Sequence, residues 1–550
     1  MSLSNTRHEQ SSLSLRAVVS SRAVFFTASA LVYTAAIVSA TLTLNPYFAQ
    51  TWDVNTFIHA ARTFFDNASP FDLYAQTRAA QTWPYAYPPL HAFIVAIALF
   101  IGNFVRVFPD YVWARVPVIV ADIGVALVLY RIMLRKSSDE TIARTAVLLW
   151  LFNPITFYDT AIQGHFESEW LVFVLLAYAW LEDSRHIALP TIALALAVLF
   201  KQTAIVFAIP LWMYFFVGAQ HVAPLHRRAL RLASSFTVFA FVVGVVCLPF
   251  LLYSNDFVFM NLTYVENVPV QTSSWIIALL GFTRAAPDAL TGDFFLLRYQ
   301  TIITMLAAVA IAFVAARRGW SLYLAATLIA LAFFLTSKKV MGYYYVMLLP
   351  FLLVEVLPKR RFDLALATIV ATAYISLAPY YAAWTNHAHW WVYAALGTIN
   401  SAFFVWLFTR LVSLRGAQFA TKQSPSNLEI ASQTPLAMTR TVIFVPLGLF
   451  AVALFASLLQ PLLPNNGSPI RAPLVAAGME MNALIMFAAL IALAVIALFA
   501  VRALARLTDR RATIAAWGVV LIFAPLFFSV YTLTKESTAI LEIALKILGV

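Results

Sequence analysis

The amino-acid sequence predicts an all-α polytopic membrane protein, a bundle of roughly 13–15 transmembrane helices. Of its 550 residues, 62% are apolar and 11% are charged, whereas soluble domains average about half apolar and a quarter charged. Uncharged runs at 23–44, 236–253 and 483–501 each approach the roughly 20 residues that a spanning helix needs. The first run has no clear small-residue cleavage site, so we expect it to remain as the first span.

The basic residues predict how these spans are oriented. With the N-terminus inside, 24 of the 36 Lys and Arg residues fall in inner segments, as the positive-inside rule requires. Residues 45–111 are then one outer segment, in which 88–105 is a helix in or at the interface rather than a span. Orientation also accounts for the net charge of +12, so no nucleic-acid partner is predicted. The single cysteine, Cys247, excludes an internal disulfide framework and a cysteine-based metal site.

Charge and composition divide the chain into five predicted parts. A Ser-, Gln- and Pro-containing stretch separates the last spans from the rest and is predicted to be a linker. The parts are a cytoplasmic tail at 1–22, a main transmembrane module at 23–360, additional spans at 361–415, a flexible cytoplasmic linker at 416–439 and C-terminal spans at 440–550. No internal repeat of the kind that builds many transporters is apparent.

The first outer segment contains a candidate catalytic acid. Asp53 lies about nine residues beyond the first predicted span, where a carboxylate can act as general base on a hydroxyl delivered from outside. A helix N-cap or a solvated loop acid is the competing interpretation, because Asp caps helices readily. Tyr87, in the Tyr-Pro-Pro-Leu stretch of the same segment, is a second candidate site residue.

A second polar segment follows an Asn-Pro turn at 153–154. It contains Asp159 and the stretch Gly-His-Phe-Glu at 164–167, so that Asp159, His165 and Glu167 are candidate site residues. A plain polar turn is the alternative. His165 and Glu167 supply only two possible metal ligands without a third nearby, so no metal site is predicted. We expect no cofactor, with a divalent metal left as an open alternative.

Three lysines lie at positions where cationic side chains are uncommon in membrane proteins. Lys201 lies between two apolar runs with no acid nearby in sequence, and an ammonium there must snorkel or meet an anion. Lys338 and Lys339 lie on the predicted outer side, against the positive-inside bias. A lipid phosphate would stabilise such cations; an aromatic belt with snorkelling lysines is the alternative. The candidate phosphate contacts are Lys201, Gln202, Lys338, Lys339 and Tyr343.

Asp122 is an ionisable residue inside a predicted span. An intramembrane carboxylate is costly unless it is paired, and is a functional candidate by default. Arg115, two turns earlier in the sequence, is its expected partner.

The motifs of the outer segments resemble the opening of the GT-C superfamily of membrane glycosyltransferases. The similarity rests on Asp-x-x-x-Phe followed by Ala-Ala at 53–61, Phe-Asp-Leu-Tyr at 71–74 and Tyr-Pro-Pro-Leu at 87–90. It extends in organisation over about residues 23–360, with the polyprenyl-phosphate-mannose-type transferases as the branch most similar. Many members have Gly-Gln-x-Asp where this chain has Gly-His-Phe-Glu, a departure that affects the role expected of Glu167.

The resemblance implies a catalytic transmembrane module at 23–360 with juxtamembrane helices in its first outer loop, and Asp53 as the catalytic base. It implies transfer of a mannose-like hexose from a polyprenyl-phosphate donor to a hydroxyl of a lipid, glycan or protein acceptor, with inversion, on the outer face. The contacts it implies for the donor or acceptor sugar are Tyr87, Asp159, His165 and Glu167. A prokaryotic cell membrane is the expected location, with the endoplasmic reticulum membrane as alternative. A secondary transporter or lipid flippase is the competing function; it would be expected to show symmetric halves and charges at the midplane.

Overall fold

The computed structural model describes residues 22–48, 52–66, 69–79, 84–183, 186–217, 225–264, 272, 274–283, 294–377, 390–421 and 435–459. Over these ranges all the regular elements are helices. The predicted tail up to residue 21, most of the predicted linker and the predicted spans at 481–501 and 512–533 lie outside the described residues.

The N-terminal part pairs long apolar helices with shorter helices from the predicted outer segment. Its helices are α1 (Arg22–Phe48), α2 (Trp52–Asp66), α3 (Leu73–Ala79), α4 (Leu90–Val105), α5 (Asp110–Trp113) and α6 (Val116–Ser137). A short 3-10 turn, Pro70–Asp72, precedes α3 and begins after Ser69, whose hydroxyl accepts a hydrogen bond from the Phe71 amide.

The middle part contains most of the candidate site residues. Its helices are α7 (Glu140–Leu151), α8 (Pro154–Phe157), α9 (Glu167–Asp183), α10 (Ala188–Phe200), α11 (Ile205–Val217) and α12 (Leu225–Tyr253). Two irregular turns interrupt the helices: a π-helical turn, Tyr158–Gln163, after α8, and a 3-10 turn, Gln202–Ala204, before α11. Asn153 caps α8 by accepting hydrogen bonds from the amides of Ile155 and Thr156.

The remaining helices complete the bundle. They are α13 (Asp256–Val258), α14 (Trp275–Thr283), α15 (Phe295–Arg298), α16 (Gln300–Arg317), α17 (Leu322–Thr336), α18 (Leu348–Val356), α19 (Phe362–Leu377), α20 (Trp390–Thr421) and α21 (Pro435–Leu459). A π-helical turn, Phe259–Thr263, follows α13, and a 3-10 helix, Gly342–Met347, precedes α18.

Five helical stretches are long and apolar enough to cross a membrane: Arg22–Thr43, Asp110–Ser137, His226–Tyr253, Gln300–Arg317 and Ala394–Leu414. Shorter apolar helices of 10–17 residues, α10 and α11 among them, pack between these. The described residues therefore have the all-α polytopic architecture that the composition predicts, and the total of 13–15 spans stays a prediction.

Helix α4, at 16 residues, belongs to the shorter class. One of its faces packs on α2, where Val95 and Leu99 cluster with Val54 and Ala61. The opposite face exposes Phe93, Ile97, Phe100 and Phe104. Apolar side chains thus cover both faces, one against α2 and the other open to contact with lipid. The interfacial position predicted for 88–105 stays a prediction.

The predicted ion pair between Asp122 and Arg115 is wrong. The Asp122 carboxylate accepts hydrogen bonds from Tyr33 (2.6 Å), Thr160 (2.8 Å) and Ser168. Arg115 instead donates to backbone carbonyls, including that of Thr160 at 3.1 Å. Sequence spacing along a helix fails here because hydroxyl donors from α1, the π-helical turn and α9 all reach the same carboxylate. Asp122 thereby links α1, the first predicted span, to the π-helical turn and α9, which carry the second polar segment.

Candidate functional site

A cavity of about 270 Å³ lies where α11, α16 and α17 meet the residues between α3 and α4. Its wall includes polar and basic residues, namely Tyr87, Lys201, Gln202, Gln300, Ser337 and Lys339. It also includes the apolar residues Ile205, Val206, Leu262, Met305 and Phe333. A wall that combines cations with apolar side chains suits a ligand that has an anionic head and an apolar chain.

Asp53 lies in the first turn of α2 and is half-buried. Burial raises the pKa of this carboxyl, and the positive charges of Lys339 and Lys201 lower it, with a net rise. The helix dipole also favours an acid in the first turn, so Asp53 contributes to the start of α2. Its carboxylate nevertheless lies within electrostatic reach of two lysines that line the cavity, which brings the predicted base and the predicted phosphate contacts together.

Lys339 is the cation best placed to meet a ligand. It lines the cavity, and no acidic side chain in the described ranges forms an ion pair with it. Burial lowers the pKa of its ammonium to about 8, against a smaller opposing effect of Asp53. An anion in the cavity would stabilise the charged form.

Lys201 already meets an anion inside the protein, and that anion belongs to a residue distant in sequence. Its ammonium forms an ion pair with Glu167, which precedes it by 34 residues, and both side chains are buried. Rings of Tyr87, Phe166, Tyr343 and Tyr344 surround the ammonium, with the Tyr344 centroid 4.1 Å away. Cation–π contacts and the ion pair together make this a well-compensated buried charge.

The local chain explains why Lys201 points inward. Helix α10 ends at Phe200, and Lys201 has an extended backbone before the 3-10 turn that begins α11. This break turns the side chain toward the N-terminus of α9, where Glu167 begins that helix. Gln202 follows, and its amide nitrogen donates to the Ala86 carbonyl at 2.9 Å. Its oxygen is buried and has no hydrogen-bond partner among the described residues, which leaves one acceptor on a cavity-lining residue.

His165 links Glu167 to the cavity wall. Its Nδ1 lies 3.4 Å from Oε1 of Glu167, and its Nε2 lies 3.3 Å from the hydroxyl oxygen of Tyr87. The ring is stacked between Phe166 and Tyr343, at centroid distances of 4.8 and 3.9 Å. Burial lowers the pKa of His165 to about 3, with the Lys201 charge as the next cause, so the imidazole is neutral near pH 7.

Gly164 makes the close packing of this segment possible. Its φ of 59° lies in the left-handed region, at the end of the π-helical turn. A Cβ at this position would lie 2.5 Å from Cγ2 of Val54 and 2.9 Å from Cζ of Arg115. Glycine therefore permits both the turn and the approach of the segment to the residue that follows Asp53.

Besides His165 and Glu167, three more predicted contacts are not cavity-lining residues. Asp159 is fully buried in the π-helical turn, and neither carboxylate oxygen has a hydrogen-bond partner within the described ranges. Lys338 is buried, and its backbone amide donates to the Gln300 side chain at 3.2 Å. Tyr343 stacks on His165 and flanks Lys201. The two tandem lysines thus differ, since Lys339 borders the cavity and Lys338 does not.

Sequence reasoning missed several residues of the site. Gln300, Ser337 and Tyr344 line the cavity, and a buried His91–Glu169 pair (2.8 Å) lies behind it. Gln300 opens an otherwise apolar span, a polar residue that could have been noticed. His91 and Glu169 are 78 residues apart, and no local pattern connects them.

The described residues contain no group of three or more His, Cys, Asp or Glu side chains arranged to hold a metal ion. Comparison with models of known protein families finds no match to this chain, and comparison with curated proteins finds none either.

Proposed function

We propose that this protein is a membrane glycosyltransferase that moves a mannose-like hexose from a polyprenyl-phosphate donor to a hydroxyl of a lipid, glycan or protein acceptor on the outer face. The observation that carries the proposal is the cavity, whose wall combines lysines with apolar side chains, with Asp53 within electrostatic reach of those lysines. A donor of this class combines a sugar, an anionic phosphate and a hydrocarbon chain. The motif resemblance to GT-C transferases points the same way.

The proposed reaction needs only a base and a cation. The acceptor oxygen attacks the anomeric carbon from the face opposite the phosphate, and Asp53 takes the hydroxyl proton. The bond between the anomeric carbon and the phosphate oxygen breaks, and its electron pair leaves on the phosphate. Lys339 stabilises the charge that accumulates there. The products are a glycoside of inverted configuration and polyprenyl phosphate.

The buried groups around His165 serve this site by positioning. Glu167 is held by Lys201 and by Trp170, whose indole nitrogen donates to Oε2 at 2.5 Å. Glu167 in turn faces Nδ1 of His165, and Tyr87 contacts Nε2 of the same ring. The imidazole is therefore held at both of its nitrogens. We assign the hexose to Tyr87 and the phosphate to Lys339, both of which line the cavity.

The proposal is tested by the Asp53→Asn substitution in the full-length protein. Release of polyprenyl phosphate from a panel of polyprenyl-phosphate hexoses is the readout, with donor binding measured separately. Because general-base catalysis contributes about a hundred- to ten-thousand-fold, turnover should fall at least about a hundredfold while donor binding survives.

Asp66→Asn is the matched control, because Asp66 lies at the other end of the same helix and is exposed. It should leave turnover unchanged. A wild-type rate for Asp53→Asn would remove Asp53 as the base. Failure of the wild-type protein to use any donor of the panel, combined with movement of a lipid or solute across the membrane, would favour the transporter alternative.

A further inference from the structure

The Tyr87 hydroxyl lies at the boundary between the cavity and the buried polar residues. Tyr87 lines the cavity, and its oxygen lies 3.3 Å from Nε2 of His165. In such a pair either group can be the donor, depending on which ring nitrogen carries the hydrogen. The surroundings of the other nitrogen, Nδ1, decide this.

Nδ1 of His165 faces an acceptor. Its near neighbour is Oε1 of Glu167, at 3.4 Å, and no closer hydrogen-bond partner exists among the described residues. Oε1 also meets the Lys201 ammonium, and Oε2 accepts from Trp170, so Glu167 is an ionised carboxylate with no hydrogen to give. A bare Nδ1 would place its lone pair against that carboxylate. The hydrogen of the neutral ring therefore resides on Nδ1.

The direction of the second hydrogen bond follows. With its hydrogen on Nδ1, the imidazole presents a lone pair at Nε2, and the Tyr87 hydroxyl donates to it. The ring has little freedom to turn over, because Phe166 and Tyr343 stack on its two faces. Tyr87 has then used its one hydrogen and offers only lone pairs to the cavity.

We infer that Tyr87 is a specificity-determining residue that accepts a hydrogen bond from a sugar hydroxyl and disfavours a phosphate oxygen in its place. An ionised phosphate has no hydrogen to donate and would meet the tyrosine lone pairs, whereas Lys339 offers a cation elsewhere in the same cavity. The inference rests on the proposed function and deepens it, since it orients the donor: hexose at Tyr87, phosphate at Lys339.

Binding of three probes to the full-length protein in lipid nanodiscs tests this assignment. The probes are decaprenyl-phosphate mannose, its monodeoxy analogues, and decaprenyl phosphate without sugar. Tyr87→Phe should weaken binding of the mannose-bearing probe about three- to tenfold, the range expected for one hydrogen bond. It should leave decaprenyl phosphate unaffected. One deoxy analogue should bind the wild type as weakly as the parent probe binds Tyr87→Phe, with no further loss in the variant.

Tyr178→Phe is the matched control, because it removes a buried hydroxyl that donates to the Phe207 carbonyl and that does not border the cavity. It should alter binding of none of the probes. An equal loss for decaprenyl phosphate and for the mannose-bearing probe in Tyr87→Phe would overturn the inference, because Tyr87 would then contact the phosphate. Retention of the full effect with every deoxy analogue would overturn it as well.

The tautomer is measured independently of any ligand. Nitrogen-15 spectra of histidine-labelled protein, with the His165 signals assigned by their absence in His165→Asn, should show the hydrogen on Nδ1. A hydrogen on Nε2 would overturn the inference while leaving the glycosyltransferase proposal intact. A wild-type protein with the hydrogen on Nδ1 that binds no sugar-bearing probe would instead refute the proposed function, and the inference with it.

Discussion

The pKa of Lys339 predicts how donor use depends on pH. Burial lowers this pKa from 10.5 to about 8, and no acid in the described part of the chain pairs with the ammonium. A phosphodiester donor keeps its single negative charge through this range, so the protein side of the contact is the one that titrates. The kcat/KM for the donor reports ionisations of the free enzyme and should fall as pH rises through about 8.

The size of the effect follows from the protonated fraction. A group with a pKa of about 8 is about nine-tenths charged at pH 7 and about one-tenth charged at pH 9, so kcat/KM should fall about tenfold over that interval. A lysine with an ordinary pKa would lose only a few per cent of its charge over the same interval. Lys339→Arg should abolish the decline, because a guanidinium stays charged up to about pH 12. We also expect Lys339→Arg to bind the donor less tightly, because a planar guanidinium replaces a compact ammonium.

The assay is release of polyprenyl phosphate from limiting donor between pH 6 and 9.5, with the folded state monitored at each pH. Lys359→Arg is the control, because Lys359 pairs with Glu355 and belongs to a predicted inner loop. It should leave the wild-type decline in place. A wild-type profile that is flat to pH 9, or a decline that persists in Lys339→Arg, would refute the role assigned to Lys339.

The other predictions concern the buried groups and the topology. Lys201→Met leaves a buried unpaired carboxylate and should lower the free energy of unfolding by about 3–5 kcal/mol, whereas the double change with Glu167→Leu should recover most of that loss in a chemical-denaturation assay. Asp122→Asn turns an amide donor toward a hydroxyl donor and should cost about 1–3 kcal/mol in the same assay; no loss would contradict the hydrogen bonds described. Tyr74 is buried, so cysteines introduced instead at the exposed Gln76 of the same helix and at Pro109 should both react with an impermeant reagent from outside, and labelling of the second from the cytoplasm would refute the topology.

The sequence predicts best what depends on chemistry averaged over many residues. Apolar runs predict the helical architecture, and local sequence patterns are enough to nominate Asp53, Lys201 and Lys339. Contacts between distant segments are a different matter. The ion pair of Lys201 with Glu167 spans 34 residues and depends on where α10 ends, which no periodic pattern specifies.

The Asp122 prediction failed for a related physical reason. An intramembrane acid was expected to pair with the basic residue on its own helix, but hydroxyls can satisfy a carboxylate without a counter-charge. The stacking of the Tyr343 ring on His165 is likewise a contact that the sequence does not specify, because it depends on how two distant segments meet. The phosphate contact predicted for Tyr343 stays a prediction.

The balance of charges explains why one lysine and one acid are left for the proposed chemistry. Glu167 neutralises Lys201, which leaves Lys339 as the cavity-lining lysine without an ion pair in the described part of the chain, with Asp53 within electrostatic reach of it. As Asp53 takes the acceptor proton it loses its negative charge, and an equal charge appears on the departing phosphate. The negative charge thus moves from the Asp53 carboxylate to the departing phosphate. The Lys339 ammonium interacts favourably with it throughout. Lys339 also lowers the basicity of Asp53, but burial has the larger and opposite effect, so the carboxylate remains a stronger base than an exposed aspartate.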